Sequence, residues 1–258
     1  MAPRQSPMNH RQERIIQLVR ETGFATVEEM ARVFNVTPQT IRRDINTLDR
    51  EGKIARYHGG AAPSGSAENV AYTRRQTLLR EEKKEIAKAV ADLVPDNSSL
   101  FINIGTTTEQ VARALTRHHK LKVITNNLNI AAIMGRKEDF QVMVSGGIVR
   151  ARDNGITGDS AIQFIRQFKA DIGIIGISGI DEDGTLLDFD FMEVNVARAI
   201  IDNARKVFLV ADHSKFRRNA MVKLGNLSEI HTLITDQPPP GPVMDLIKQE
   251  GINLVIPQ

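Results

Sequence analysis

The sequence predicts an α/β protein with a small helical head at the N-terminus and a larger domain built on a mostly parallel sheet. Residues 10–62 hold three short helical patterns and a glycine-centred strand pair, whereas strand and helix patterns alternate from residue 98 onward. With 258 residues, 41% of them hydrophobic, the chain is long enough to form two cores. We expect a head over 1–62, a linker and the start of a connecting helix over 63–80, and the α/β domain over 81–258.

The first two helices of the head are predicted from their apolar spacing and from their ends. HRQERIIQLVRETG, residues 10–23, places apolar residues at helical intervals, and Gly23 can end the helix. Thr26 stands three residues before Glu29, which is the spacing of a capping box, ahead of an apolar run that ends at Phe34. A brief turn then leads into a third helix, and this succession indicates a helix-turn-helix.

The third helix begins within NVTPQTIRRDINTL, residues 35–48, where Thr37 can cap it and Pro38 suits its first position. Apolar residues at i, i+4 and i+7 form one stripe toward a core, namely Ile41, Ile45 and Leu48. The opposite face carries amide, hydroxyl and guanidinium groups, which can bind base edges or phosphates. An isolated arginine pair usually only solvates a helix, but this combination of groups favours DNA reading.

A β-hairpin wing is predicted next to the third helix, because Gly52 breaks the helical pattern and KIARYHGGAA, residues 53–62, contains a glycine pair. Charge supports nucleic-acid binding modestly. Residues 1–90 hold 16 Lys and Arg against 11 Asp and Glu, a net of +5, whereas residues 91–258 hold 18 against 20. The DNA contacts predicted for the helix and the wing are Thr37, Gln39, Thr40, Arg42, Arg43, Asn46, Arg56 and His58.

Composition excludes several other classes of protein. The chain has no cysteine, so disulfides and thiolate metal sites are excluded. No apolar run approaches a membrane span and the start MAPRQSPMNH lacks a signal-peptide core, so we expect a cytoplasmic protein. His118 and His119 are adjacent and face differently on a helix, which argues against a metal site. The usual phosphate-loop, hydrolase and zinc-peptidase motifs do not occur, and the carboxylates of residues 181–183 precede Gly184 as in a turn.

Between head and body, AAPSGSAEN at residues 61–69 reads as a linker, because Pro, Gly and Ser cluster there. The following segment, residues 73–94, predicts a connecting helix whose charged residues favour a solvated face over a second DNA site. Its apolar stripe consists of Leu79, Ile86, Ala87, Val90 and Val94.

The body predicts a parallel sheet covered on both faces, because strands and helices alternate along it. The predicted strands are SSLFINI, LKVIT, FQVMVS, DIGIIGIS, KVFLVAD, HTLIT and NLVI. The predicted helices are TTTEQVARALTRH, NLNIAAIMG, DSAIQFIRQF and FMEVNVARAIIDNA.

Ligands of such sheets bind at the carboxyl ends of the strands, where this sequence has polar loops. GTTTEQ offers a glycine, three hydroxyls and a helix N-terminus, which suits a phosphate, although an ordinary strand-to-helix turn has the same composition. Lysine and arginine residues after other strands could meet the same anion, and Asn and Asp could bind hydroxyls. The predicted effector contacts are Gly105, Thr106, Thr107, Thr108, Asn126, Asn127, Gly146, Gly147, Arg150, Arg152, Asp188, Asp190 and Lys215.

Taken together, NVTPQTIRRDINTL, IARYHGGA, RARDNGITG and HSKFRRNAMV resemble the DeoR-type bacterial transcriptional regulators over residues 10–256. The resemblance implies a sensor domain similar in fold to sugar-phosphate isomerases. It also implies a repressor of glycerol and glycerol-3-phosphate metabolism genes, a homo-oligomer with a tetramer expected, that needs no cofactor and leaves double-stranded operator DNA when glycerol 3-phosphate binds. A repressor answering another sugar phosphate is the alternative, and an active isomerase is the rival class. Asn103 stands where the family usually has an acidic residue, and Arg217 stands where a glycine is expected.

Overall fold

The computed structural model describes residues 9–22, 25–57, 59–63, 72, 75–218 and 220–257. The chain forms two compact units, Met1–Leu78 and Leu79–Gln258. Within the described residues, no helix is both long enough and apolar enough to cross a membrane.

The first unit is a helix-turn-helix with a wing. Its helices are α1 (His10–Thr22), α2 (Val27–Phe34) and α3 (Pro38–Arg50), and its strands are β1 (Ala25–Thr26), β2 (Ile54–Tyr57) and β3 (Gly60–Pro63). The strands pair antiparallel in the order β1-β3-β2, and the wing is the β2–β3 hairpin. The predicted helices and wing are confirmed, while Gly23 and His58 lie outside the described residues.

The core of this unit forms as the apolar spacing predicts. Ile41, Ile45 and Leu48 of α3 are buried, and they pack with Ile15 of α1 and Met30 of α2. The capping box is present, since Glu29 N donates to Thr26 Oγ1 at 3.0 Å and Thr26 N donates to a Glu29 carboxylate oxygen at 2.8 Å.

One carboxylate of α3 faces inward. Asp44 is 5% exposed and accepts from Arg11 Nε at 2.6 Å and from Gln12 Nε2 at 3.2 Å. Because both donors lie on α1, this pair of hydrogen bonds fixes α1 against α3.

The second unit is built on one parallel sheet. Its principal strands are β4 (Ser99–Ile102), β5 (Lys122–Thr125), β6 (Gln141–Val144), β9 (Ala170–Gly176), β12 (Ala204–Val210), β14 (Thr232–Ile234) and β15 (Asn253–Val255). In the described part of the chain they form a seven-stranded sheet in the order β15-β14-β12-β9-β4-β5-β6, with every pair parallel. All the predicted strands are confirmed.

Helices cover both faces of this sheet. On one face, α4 (Arg80–Leu93), α5 (Thr106–Leu115) and α6 (Leu128–Met134) share a core with the strands. On the other face, α7 (Asp159–Ile165), α8 (Phe191–Asn203) and α9 (Gly241–Gln249) form a second core. The near-continuous apolar strands of the sequence are therefore explained by burial on both sides.

Several elements differ from the prediction. The connecting helix begins at Arg80, because Leu79 adopts a left-handed conformation with φ of 52° and precedes the helix instead of joining its stripe. Short antiparallel elements were not predicted, and three of their strands have only two residues, which are too few for a periodic signal. They are β7 (Ile148–Val149) with β8 (Ile156–Thr157), and β10 (Gly179–Ile180) with β11 (Thr185–Asp188) and β13 (Val222–Asn226). Helix α9 was also missed.

Candidate functional sites

The outward side of α3 presents the polar residues that the sequence predicts there. Gln39, Arg42 and Arg43 are exposed, and Thr40 and Asn46 are half-buried at the margins. Arg42 is 58% exposed and lies 3.5 Å from the Glu28 carboxylate, which is a weak contact. We call these five residues the reading face.

Thr37 has a structural task at the start of this helix. Its hydroxyl accepts from Thr40 N at 3.3 Å and lies 2.9 Å from Thr40 Oγ1. Pro38 follows as the first helical residue. The side chain predicted to contact DNA therefore also caps the helix.

The wing is tied to the end of α3 by Arg56. Its backbone N–H donates to Asp49 Oδ1 at 2.8 Å, while its side chain is exposed. The wing is thereby held beside α3, with the guanidinium available to a partner outside the protein.

The loop before α5 is folded tightly around a threonine hydroxyl. Thr108 Oγ1 donates to the carbonyl oxygens of Asn103 at 2.8 Å and Gly105 at 2.9 Å. A Cβ on Gly105 would lie 3.0 Å from that hydroxyl, so a larger residue would disturb the loop. Thr106 and Thr107 begin the helix and are also largely buried.

The loop after β5 holds two asparagines with different roles. Asn127 Oδ1 caps α6 by accepting from Asn129 N at 2.7 Å, so this oxygen is already used. Asn126 Nδ2 donates to Ile156 O at 2.9 Å, and Ile156 N donates to Asn126 O at 2.7 Å. Asn126 Oδ1 is buried without a hydrogen-bond partner among the described residues.

Two buried polar residues of this edge were not predicted. Glu109, which is 1% exposed, accepts at Oε1 from Asn129 Nδ2 at 3.0 Å and from Asn127 Nδ2 at 3.4 Å. Ser145, at the end of β6, has a buried hydroxyl that no described residue bonds. A polar residue at a strand end was the available signal for Ser145, whereas Glu109 resembles any charged residue of a helix.

The two glycine positions after β6 differ in whether they could hold a residue with a side chain. Gly147 has φ of 138°, and a Cβ there would lie 2.6 Å from Thr157 O. Gly146 would accept a Cβ, because no atom lies within 4 Å of that position. Gly147 is therefore required for the chain to enter the β7–β8 hairpin, which we call the arginine hairpin (residues 148–157).

Arg150 of the arginine hairpin is enclosed by carboxylates. Its guanidinium contacts Asp153 at 2.8 Å, Asp190 at 2.7 Å and Glu193 at 2.8 Å, and its side chain is 12% exposed. Burial alone would lower the pKa of Arg150, but Glu193 and the two aspartates outweigh that effect and raise it. Arg150 is thus positively charged, and the surrounding carboxylates compensate this buried charge.

Arg152 and Asp190 belong to the same network. Arg152 bonds Asp190, whose other oxygen caps α8 by accepting from Met192 N at 2.9 Å. Burial opposes ionisation of Asp190, but the Glu193 N–H and the guanidinium of Arg150 hold its pKa below the usual range. Asp188 accepts from the backbone N–H of Phe189 at 2.6 Å.

Glu193 is the carboxyl group of this network whose ionisation is disfavoured. Burial raises the pKa of Glu193 to about 7, with the Asp188 carboxylate adding to the shift and Arg150 opposing it. This carboxyl group therefore changes charge near neutral pH.

Lys215 lies in the loop after β12, in a short 3₁₀ helix that Asp212 caps. Its Nζ lies 3.9 Å from Asp212 Oδ2, and its side chain is 12% exposed. The carboxylate of Asp212 is itself bonded by Ser214 N at 3.1 Å. A lysine after β12 and a helix start after β4 lie at the same edge of the sheet, as the sequence predicts for strand ends.

The two departures from the family pattern have clear structural settings. Asn103 is 3% exposed, and its Oδ1 accepts from Gly176 N at 3.0 Å, which joins the ends of β4 and β9. Arg217 has φ of 59°, the left-handed region in which glycine is favoured. Its guanidinium pairs with Glu182 at 2.7 Å on the surface.

Comparison with protein families gives two matches. Residues 11–66 match the DeoR-like helix-turn-helix domain, and residues 79–237 match the DeoR C terminal sensor domain. The chain belongs to the DeoR family. It is a DNA-binding transcription regulator and not an enzyme.

Curated relatives span nearly the whole chain. The glycerol-3-phosphate regulon repressor of Escherichia coli (strain K12) is 50% identical over 240 residues, covering 93% of this chain and 95% of the relative. The repressor of that name in Haemophilus influenzae is 48% identical and covers 95% of this chain and 96% of the relative. The transcriptional repressor CsqR of E. coli (strain K12) is 42% identical over 97% of this chain and 96% of the relative.

Solved structures give weaker matches. Ribose 5-phosphate isomerase A of Neisseria gonorrhoeae is 16% identical, with a TM-score of 0.40 over 54% of this chain and 55% of that chain. The delta subunit of eIF2B from Chaetomium thermophilum is 13% identical, with a TM-score of 0.47 over 78% of this chain and 64% of that chain.

Proposed function

We propose that this protein represses genes of glycerol and glycerol-3-phosphate metabolism and leaves its operator when glycerol 3-phosphate binds. The observation that carries the proposal is the near-full-length similarity, at 50% and 48% identity, to two glycerol-3-phosphate regulon repressors. Operator DNA lies in the cytoplasm of bacteria, and we place the action of this protein there.

In the proposed complex, the reading face enters the major groove. Gln39, Thr40 and Arg43 read base edges, because amide, hydroxyl and guanidinium groups match the donors and acceptors displayed there. Arg42 and the wing residues Arg56 and His58 hold phosphates, which positions α3 without reading sequence. Asn46 extends the contacts along the groove, and Thr37 fixes the start of the helix.

The proposed effector site lies at the edge formed by the strand ends. The free N–H groups at the start of α5 and the hydroxyls of Thr106 and Thr107 bind the phosphate, and Lys215 adds a positive charge. Asn126 Oδ1, a buried acceptor with no partner in the described chain, suits a hydroxyl of the glycerol part. The other predicted contacts shape the edge: Gly105, Thr108, Asn127, Gly146, Gly147, Arg150, Arg152, Asp188 and Asp190.

Release requires that the effector prefer a state in which the heads of an oligomer no longer match the operator half-sites, because only differential affinity shifts an equilibrium. By linkage, operator DNA then weakens effector binding by the same factor. We propose a homo-oligomer, specifically a tetramer, as the form that binds operator DNA.

The test is binding of the purified protein to DNA from upstream of glycerol-utilisation genes, titrated with glycerol 3-phosphate, glycerol and several sugar phosphates. We expect release by glycerol 3-phosphate and none by glycerol. Release by another sugar phosphate instead would keep the repressor and replace its effector. Failure to bind this DNA would contradict the proposed regulon.

A further inference from the structure

Arg150 lies close to the side chain of Ile104, which precedes the proposed phosphate site, yet its guanidinium bonds carboxylates. A Cβ placed on Gly155 would lie 2.5 Å from Ile104 Cδ1 and 3.2 Å from Arg150 Nη2. Ile104 immediately precedes Gly105, the residue before α5. The guanidinium is thus a near neighbour of the loop that leads into α5.

The carboxylates around Arg150 fall into two groups. Asp153 belongs to the arginine hairpin, where it also accepts from Gly155 N at 3.2 Å. It therefore stays with Arg150 if the hairpin moves. Asp190 caps α8, and Glu193 lies in its first turn. The bonds from Arg150 to these two residues therefore join the arginine hairpin to the first turn of α8.

A phosphate is an acceptor of the same kind as these carboxylates. It can take two parallel N–H bonds from one guanidinium, as a carboxylate does. A dianionic phosphate beside Ile104 would compete with Asp190 and Glu193 for Arg150, because the guanidinium has a fixed number of donors.

We propose that Arg150 exchanges partners when the effector binds, leaving Asp190 and Glu193 of α8 for the phosphate held at the start of α5. This inference rests on the proposed effector site. The exchange frees the first turn of α8 from the arginine hairpin. Effector binding is thereby coupled to a helix that itself makes no contact with the phosphate. Asp190 continues to cap α8, because its Oδ1 bonds Met192 and Glu193 N–H groups and not Arg150.

The direction in which one substitution changes the affinity for glycerol 3-phosphate tests the exchange. Glu193→Gln removes a competitor for Arg150, so glycerol 3-phosphate should bind about fivefold tighter or more at pH 8, measured by titration calorimetry. Asp202→Asn is the matched control, because it removes one negative charge from the same helix, where Asp202 pairs with Arg198. We expect no change of affinity for this control.

A pH series separates exchange from a structural role. Glu193 has a pKa near 7 among Arg150, Arg152, Asp153, Asp188 and Asp190, so in the wild type it is already mostly protonated at pH 6. The affinity ratio between Glu193→Gln and wild type should therefore shrink from pH 8 to pH 6. Comparing variants at the same pH cancels the titration of the phosphate itself, whose second pKa is about 6.

Two further variants keep the test decisive. In an Arg150→Gln background the gain from Glu193→Gln should vanish, because no guanidinium remains to be exchanged. If that background fails to fold, Arg150→Lys replaces it, with a reduced gain expected because an ammonium cannot form the planar fork. Asp190→Asn, which retains the helix cap, should tighten binding in the same direction as Glu193→Gln.

The outcomes distinguish the inference from the proposed function. Wild-type protein that does not bind glycerol 3-phosphate overturns the effector assignment and this inference with it. Wild-type binding that Glu193→Gln leaves unchanged or weakens overturns the exchange alone. A gain that persists in the Arg150→Gln background also overturns it, because charge repulsion would then explain the effect.

Discussion

The reading face of α3 and the strand-end edge of the sheet use the same residue types in opposite ways. On the reading face, Arg42 and Arg43 extend into solvent, and the one ion pair of Arg42 in the described chain is a weak contact with Glu28. At the edge, Arg150 is buried and bonded by three carboxylates. In the proposed functions, the surface for DNA leaves its cations exposed, whereas the site for a small anion holds its arginines in internal bonds that effector binding would have to replace.

The largest expected effect comes from breaking the internal bonds of the edge. Asp153→Ala should lower the free energy of unfolding of the sensor domain by about 3 kcal/mol, because it leaves a buried guanidinium partly uncompensated. Urea unfolding followed by circular dichroism measures this loss. Glu182→Ala is the control, since it removes only the exposed partner of Arg217 and should cost within about 0.5 kcal/mol. An equal loss of unfolding free energy in both variants would contradict the proposed difference between buried and exposed ion pairs.

Glu193 should make the stability of the edge depend on pH. Its pKa of about 7 in the folded protein lies above the ordinary 4.5. Between these two pH values the folded protein therefore keeps a proton that the unfolded chain has lost. The free energy of unfolding then falls as pH rises from 4.5 through 7. Glu193→Gln lacks this loss, and its stability relative to wild type should rise by about 2 kcal/mol between pH 5 and pH 8. A constant difference across that range, measured by urea unfolding, would contradict the proposed cost of ionising Glu193.

The smallest expected effect sharpens the description of the reading face. Arg43→Ala should weaken operator binding by about tenfold and reduce preference for the operator over unrelated DNA, because the side chain is proposed to read bases. Arg42→Ala, its neighbour, should weaken binding to both DNAs alike. Fluorescence anisotropy with the two duplexes measures both quantities. Unchanged discrimination by Arg43→Ala would remove Arg43 from the base-reading set.

The sequence predicted the head almost completely because its determinants are local. The stripe of Ile41, Ile45 and Leu48 fixes which side of α3 faces outward, and Thr37 with Pro38 fixes where it begins. The parallel sheet was equally readable, since strands buried on both faces appear as apolar runs.

Partners at the edge could not be predicted in this way. Arg150 and Asp190 are forty residues apart, and only the path of the arginine hairpin brings them together. Some predicted effector contacts, such as Gly105 and Asn126, follow strands of the parallel sheet. Arg150 and Arg152 instead lie on the arginine hairpin, and the sequence did not indicate that both are already paired. Glu109 escaped notice for the same reason, because its burial is evident only from its contacts with Asn127 and Asn129 of another segment.

The inward turn of Asp44 has an electrostatic consequence for the approach of DNA. Arg42, Arg43 and Asp44 are consecutive, yet only the two cations reach solvent, because Asp44 is buried against Arg11. A duplex nearing α3 therefore meets a local potential more positive than the composition of the segment suggests. Helical geometry has sorted neighbouring charges by sign, and the anion that would repel phosphate is shielded inside the domain.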